Sequence, residues 1–444
     1  MPKFTYPESR KGDTVDNYHG TEVADPYRWL EDHGSEETVA WGDAQNALTF
    51  DYLEEIAARP HIKARLTRLW NYPKYTVPTK RKDRYFVSIN DGLQNQPVLY
   101  KQTGLNGERD VLLDPNTLSD DGTVALMTQS FSDDGKLLAY STSSGGSDWQ
   151  IIRVRDVESG EDYDEVLDWC KFTNAAWVPD GSGFYYSRYP EQDDKMSGEA
   201  PFNNKVYFHK IGTAQSEDVL IYERPDAPEW GFYPIVTEDS DYLILFISHA
   251  AMKRNRLYYR PLNDDTADFV RLLDEPDAYY GFLGNDGTTF YFETDKHAPK
   301  GRIIAIDINA PDTWREIVPE GDDAIAFSTL ANGQLVIATM HNAYHQLKLY
   351  ALDGTFEKEI ELPAIGSIGG LSGKKRDSEM FINFQSYLHA PAIYRYDFTT
   401  GTLSPLYEAQ VEFDADAYET NQVFYTSKDG TRVSMFLTHK KGLT

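Results

Sequence analysis

From Arg84 onward one pattern recurs seven times: a short turn, then an apolar, aromatic-rich run. The runs are RYFVSI (from Arg84), KLLAYST (Lys136), GFYYSRY (Gly183), DYLILFI (Asp241), TTFYFET (Thr288), QLVIATM (Gln334) and EMFINFQ (Glu379). Successive starts lie 52, 47, 58, 47, 46 and 45 residues apart. Periods of this size mark arrays of supersecondary units, each of which buries its apolar faces only by stacking on its neighbours.

Each run leads into a second strand pattern, such as VLYKQT (Val98), LYYRPL (Leu257) or IYRYDF (Ile393), and then a third, such as DVLLD (Asp110), FVRLLD (Phe269) or LSPLYE (Leu403). One more precedes each turn, as in YTVP (Tyr75), FTNAAWV (Phe172) and FYPIVTE (Phe232). Seven units of four strands joined by Gly/Asp/Asn turns predict a mainly β chain, a seven-bladed β-propeller around a central channel.

An even number of strands per blade returns the chain to the face it entered by. Both ends of the ring are therefore expected on one face, together with the longer loops that begin at Asn90, Ser143, Tyr189, Ser248 and His341. Function concentrates in irregular loops on a rigid scaffold, so this is read as the working face. The first and last units are each complete in their own sequence. The ring is thus expected to close by side-chain packing alone, leaving blades one and seven able to part.

The flanks differ. The segment from Tyr18 starts with turn residues and then becomes helical: Ser35 is an N-cap candidate, with Glu36 and Glu37 in the first turn and Val39, Ala44, Leu48, Tyr52 and Ile56 at near-helical spacing. Pro60 opens a second helix carrying Ile62, Leu66 and Leu69. At the other end, two alternating stretches flank Asp429-Gly430, a tight-hairpin signal. Two amphipathic helices and one hairpin do not bury their own apolar faces, and a larger body is expected to cover them.

Chemistry is sparse. There are 43 basic and 71 acidic residues, a net charge of −28, which disfavours nucleic acid and anionic membrane as partners. One cysteine, Cys170, allows no internal disulfide framework and fits a reducing, cytoplasmic setting as a small buried residue. The start MPKFTYPESRKGDT carries no apolar signal core. His341 and His345 have a spacing seen in metal sites, but a loop fixes no facing geometry and no third ligand is evident. No P-loop, dinucleotide fingerprint or H-E-x-x-H occurs, and no cofactor is implied.

Several stretches resemble the prolyl oligopeptidase family, serine peptidases that carry a seven-bladed propeller on an α/β-hydrolase domain: YHGTEVADPYRWLED from Tyr18, GLQNQPVLY from Gly92, LLDPNTLSDDGTVAL from Leu112, SGGSDWQ from Ser144 and FYTSKDGTRVSMFLTHKKG from Phe424. The resemblance covers essentially all 444 residues. It implies an N-terminal helical segment over 1–72 that belongs with the hydrolase domain, a propeller over 73–415, and over 416–444 the first hairpin of a hydrolase domain whose remainder is absent.

The family's Ser-Asp-His triad places its serine on a G-x-S-x-G elbow. These residues contain none: GGSDW at Gly145 lacks the last glycine and GLSGK at Gly370 puts Gly373 one place early. No catalytic residue is therefore assigned, and the chain alone is expected to be inactive.

Two site assignments follow from the resemblance. Phe172 matches a phenylalanine lining a substrate subsite, or else is an ordinary inter-blade core aromatic. Asp148, with Trp149, matches a contact to the hydrolase domain, or else Asp148 caps its own loop. The SHAAMKRNR stretch from Ser248 departs from the family's substrate contacts, and its Lys253, Arg254 and Arg256 either meet an acidic neighbour or are solvated.

The implied function is gating and substrate access for a serine endopeptidase cleaving short peptides after proline. Its implied partners are proline-containing peptides and the hydrolase domain, within a monomeric enzyme. A stand-alone peptide-binding propeller and an oligopeptidase B-like enzyme cleaving after basic residues are the rival readings.

Overall fold

The computed structural model describes residues 4–191, 201–264 and 266–443. Two compact units are distinguished, Met1–Asn71 and Tyr72–Thr444.

In the first unit the expected turns are a small hairpin: Val15–Tyr18 pairs antiparallel with Thr21–Ala24. His19 and Gly20, with φ of 54° and 92°, make the mirror-image turn that suits strand twist. The residues looked like loop because a four-residue strand carries too few positions for alternation to register. Helix α1 runs Glu36–Glu54 and helix α2 Arg59–Trp70. Ser35 Oγ accepts from Thr38 N at 3.2 Å, so the N-cap forms as expected. Ile56 falls beyond the end of α1, in the turn between the helices. No residue of either helix is buried.

The second unit is the ring. Seven antiparallel sheets follow one another in chain order, at 74–113, 124–170, 176–222, 230–273, 280–318, 324–360 and 366–407. The apolar runs are nearly continuous because both faces of each blade are covered. On Tyr242–His249, for example, Leu243, Leu245 and Ile247 pack toward blade three while Ile244 packs toward blade five. Strand periodicity thus assigns alternate residues to alternate neighbours.

Blade one departs from the simple pattern. Its YTVP segment splits into Lys74–Tyr75 and Thr79–Arg81, both paired with Arg84–Asn90. Pro78 has no N–H to give, so the ladder breaks there.

Among the described residues, no blade mixes strands from both ends of the chain. Blades one and seven meet through side chains. Tyr85, Phe381 and Ile393 are the buried apolar cluster there, whereas eight or more buried apolar residues cluster at each other junction, among the described residues. Polar contacts make up part of the difference. Glu379 is buried at this seam and accepts from Lys80 Nζ at 2.8 Å, Tyr85 Oη at 2.5 Å and Arg395 Nε at 2.5 Å.

The terminal hairpin, Tyr418–Thr426 with Arg432–Lys440, packs on the loop face as strand parity requires. Gln422 Nε2 donates to Asn342 O at 2.6 Å in the blade-six loop, and Phe436 lies 5.2 Å from Tyr387 in the blade-seven loop. Its turn is wider than Asp429-Gly430 alone. Ser427 N donates to Thr431 O at 2.8 Å around three residues, and of the pair only Gly430 has a positive φ, 88°. Asp429 instead uses its carboxylate, accepting from Thr431 N at 3.0 Å and from Ser427 Oγ.

Candidate functional site

The two channel mouths are built differently. On the short-turn face, the blade-seven turn after Ser372 reaches across the axis. Lys374 Nζ pairs with Asp133 of blade two at 3.0 Å, Lys375 N donates to Glu238 of blade four at 2.9 Å, and Lys375 Nζ meets Asp286 of blade five at 2.8 Å. Burial pushes the Glu238 carboxyl above its usual range. Nothing in the repeat pattern signals this strap, because its partners come from three other repeats.

On the loop face the informative segment is Trp169–Phe172. Cys170 ends the outer strand Asp162–Cys170 and is fully buried between blades two and three. Two residues of the segment turn left-handed: Trp169, just before the cysteine, has φ 61° and Phe172, two residues after it, φ 53°. A bulky residue there costs roughly 1–2 kcal/mol, so the surroundings must hold it. They do so through Tyr189 N donating to Trp169 O at 3.0 Å and Ser187 N donating to Thr173 Oγ1 at 2.8 Å.

Phe172 is consequently turned outward, 63% exposed. It does not begin the inner strand of blade three, which is Ala176–Trp177, and it is not an inter-blade core residue. Left-handed φ at a side chain this large interrupts the extended backbone that FTNAAWV predicted.

Lys171 beside it points over two rings, 5.2 Å from Phe172 and 5.4 Å from Trp149. Its ammonium pairs with Asp148 at 3.2 Å. Among the described residues the side chain that caps this loop is Ser147, accepting from Trp149 N at 3.1 Å, rather than Asp148. Trp149 meets Trp169 edge-on at 5.6 Å and Tyr189 at 5.9 Å. The structure thus brings Phe172, Asp148 and Trp149 together, bridged by Lys171.

A recess of about 390 Å³ opens beside Phe172, with further aromatic walls from Tyr233, Phe246, Tyr279 and Phe282. None of these four stands out as a site residue in the sequence. Gly231 and Gly281, each the second residue of the first strand of blades four and five, are the sequence feature that marks the place. A larger concavity of about 1130 Å³ lies against Val219–Tyr222, the outermost strand of blade three, away from the axis.

Other candidates disperse. His341 Nδ1 pairs with Asp323 at 2.8 Å, while His345 Nδ1 accepts from Ile368 N at 2.9 Å and burial lowers its pKa. Arg256 is not solvated: it donates to Asp274 O at 2.8 Å and lies 4.0 Å over Trp230. Lys253 and Arg254 are exposed. Most of the long loop from Tyr189 lies outside the described residues.

A seven-bladed ring, strapped at one mouth and carrying an aromatic recess on its loop face, defines a β-propeller with two unlike mouths. The chain belongs to the prolyl oligopeptidase family: residues 6–409 match the model described as "Prolyl oligopeptidase, N-terminal beta-propeller domain". It is 38% identical to a prolyl endopeptidase of Elizabethkingia meningoseptica over 442 residues, covering 99% of this chain and 62% of that protein. Prolyl oligopeptidase A of Galerina marginata is 31% identical, with 98% of this chain and 64% of the relative covered. Among solved structures, prolyl oligopeptidase B from Galerina marginata bound to a 25mer macrocyclization substrate superposes with a TM-score of 0.88 at 30% identity, covering 98% of this chain and 65% of that one. The chain spans less than two thirds of the length of these relatives.

Proposed function

We propose that this chain is the substrate-admitting part of a serine endopeptidase that cleaves short peptides on the carboxyl side of proline. The observation that carries the reading is Phe172, held outward on left-handed backbone at the rim of the loop-face recess. Strain of this kind persists where the surroundings over-determine it, and it clusters at ligand-binding positions. In this role the ring excludes folded proteins and admits an extended peptide. Phe172 supplies part of the wall against which the peptide lies, and Asp148 with Trp149 forms the edge that meets a hydrolase domain.

The exposed apolar faces support such a partner. Val39, Phe50, Ile62, Leu66 and Trp70 of the two helices are exposed, as are Tyr425, Met435 and Leu437 of the terminal hairpin. Patches of this kind mark interaction surfaces. In the proposal the hydrolase domain covers them and supplies the nucleophilic serine with its histidine base and aspartate orienter.

The test uses the 444-residue chain. A proline-containing peptide is expected to quench or shift the fluorescence of the Trp149–Trp169 pair without being cut, and Phe172→Ala weakens that response. Turnover of the peptide by this chain, blocked by a serine-directed reagent, would falsify the assignment.

A further inference from the structure

The outward turn of Phe172 begins with a bulge. Gln150 and Ile152 pair with Cys170 and Leu167, so Asp162–Cys170 uses one residue more than its partner strand over this stretch. The extra residue falls at Asp168-Trp169, where the backbone first turns left-handed. A bulge interrupts the ladder and re-aims the side chains beside it, and the backbone groups it frees need other partners.

Blade three supplies them through one side chain. Gln215 lies in the short turn Gln215–Glu217, between the last two strands of that blade. Its Oε1 accepts from Asp168 N at 3.1 Å, and its Nε2 donates to Asp168 O at 3.0 Å. One amide thus meets both backbone groups of the bulged residue, as a neighbouring strand would. The Asp168 carboxylate in turn accepts from Trp169 N at 2.6 Å.

The direction of that amide is fixed from behind. Gln215 Nε2 also donates to Tyr186 Oη at 3.0 Å, and the Tyr186 hydroxyl donates to Asp218. Burial and the neighbouring Asp218 carboxylate push the Tyr186 hydroxyl above its ordinary value, so it keeps the proton it donates. The other oxygen of Asp218 lies 2.7 Å from His209 Nδ1, and both of these side chains are fully buried. A flipped Gln215 amide would set its oxygen against the Asp168 carbonyl. Neither Gln215, Tyr186, Asp218 nor His209 lines the recess beside Phe172.

We propose that Gln215, aligned by the Tyr186–Asp218–His209 chain, is a positioning residue for peptide binding: its clamp on Asp168 holds the bulge from which the Trp169–Phe172 turn projects. The inference rests on Phe172 meeting the peptide and adds what places it there. Without the clamp Asp168 loses the amide that stands in for a strand, and the left-handed backbone after it loses one of the contacts that hold it.

The experiment titrates the 444-residue chain by calorimetry with a proline-containing hexapeptide, well below the unfolding temperature of each variant. Gln215→Leu is expected to weaken binding ~10-fold and Tyr186→Phe ~5-fold. The double variant should bind no worse than Gln215→Leu alone, because Tyr186 acts through Gln215. In a Phe172→Ala background Gln215→Leu should cost nothing further. Amide exchange at Asp168 should quicken in both single variants. Should Gln215→Leu fail to fold, Tyr186→Phe carries the same comparison with Phe172→Ala. Unchanged affinity in the Gln215 and Tyr186 variants, where Phe172→Ala binds weakly, overturns the clamp and leaves the peptide-binding reading standing. A further loss in the Phe172→Ala background overturns it too, since Gln215 then acts elsewhere. Phe172→Ala binding as tightly as the parent overturns the reading of Phe172 and this inference with it.

Discussion

Tyr75 of blade one stacks on Tyr407 of blade seven, ring centroids 4.5 Å apart and planes 22° from parallel. Arg109 lies over both rings, 4.8 Å from Tyr407 and 5.8 Å from Tyr75. The pair joins the two ends of the ring at the one junction that the chain does not bridge covalently. Around it, Ser372 Oγ donates to Pro78 O at 2.6 Å, and the Glu379 cluster lies between the same two blades.

A junction with fewer buried apolar side chains and no chain crossing it should open first. Hydrogen exchange is expected to be faster in Arg84–Asn90 and Glu379–Ser386 than in the matching second strands Tyr242–His249 and Thr289–Thr294. Equal protection in the four strands would mean that the seam does not part.

Glu379 makes the seam sensitive to acid. Burial opposes its ionisation, but hydrogen bonds from Lys80, Tyr85 and Arg395 outweigh this and hold its carboxyl below the ordinary value of 4.5. A carboxyl depressed on folding contributes stability that is present above the unfolded pKa and is lost as pH falls through the folded one. Glu379→Gln is therefore expected to lower stability at pH 7 by about 2–3 kcal/mol and to flatten the loss of stability below pH ~4.5, measured by urea unfolding. A variant as acid-sensitive as the parent would place the pH response elsewhere.

Phe172 separates function from stability. An exposed side chain contributes little packing, so Phe172→Ala should change stability by no more than ~0.5 kcal/mol. At φ 53° glycine is at ease, and Phe172→Gly should be about 1 kcal/mol more stable than the alanine variant. Both should lose peptide affinity alike. Thermal denaturation alongside peptide titration reads both quantities, and a large destabilisation by alanine would return Phe172 to the core.

The strap across the short-turn face is electrostatic. Lys375→Ala removes the contacts of Nζ to Asp286 and to Asn285 O at 2.8 Å, while the backbone bond to Glu238 remains. A cost of about 1 kcal/mol is expected, shrinking as salt screens the parent's ion pairs. Peptide binding on the opposite face should not change. A salt-independent difference, read from denaturation midpoints at low and high ionic strength, would show that the strap acts through packing.

The seven blades were legible because each is written locally. Runs such as DYLILFI need only a few residues to declare a strand buried on both faces, and the spacing of seven such runs declares the ring. The N-cap at Ser35 is equally local. Only the folded chain could decide the seam and the recess. Lys80 and Tyr85 reach Glu379 across 299 and 294 residues, and no short-range pattern encodes a contact of that span. Phe172 was visible as a candidate, but whether it faced core or solvent depended on the backbone turning left-handed between Cys170 and Thr173. The walls of the recess come from blades three, four and five, so no single repeat shows it and only their packing against one another brings Phe172, Tyr233 and Tyr279 to one place.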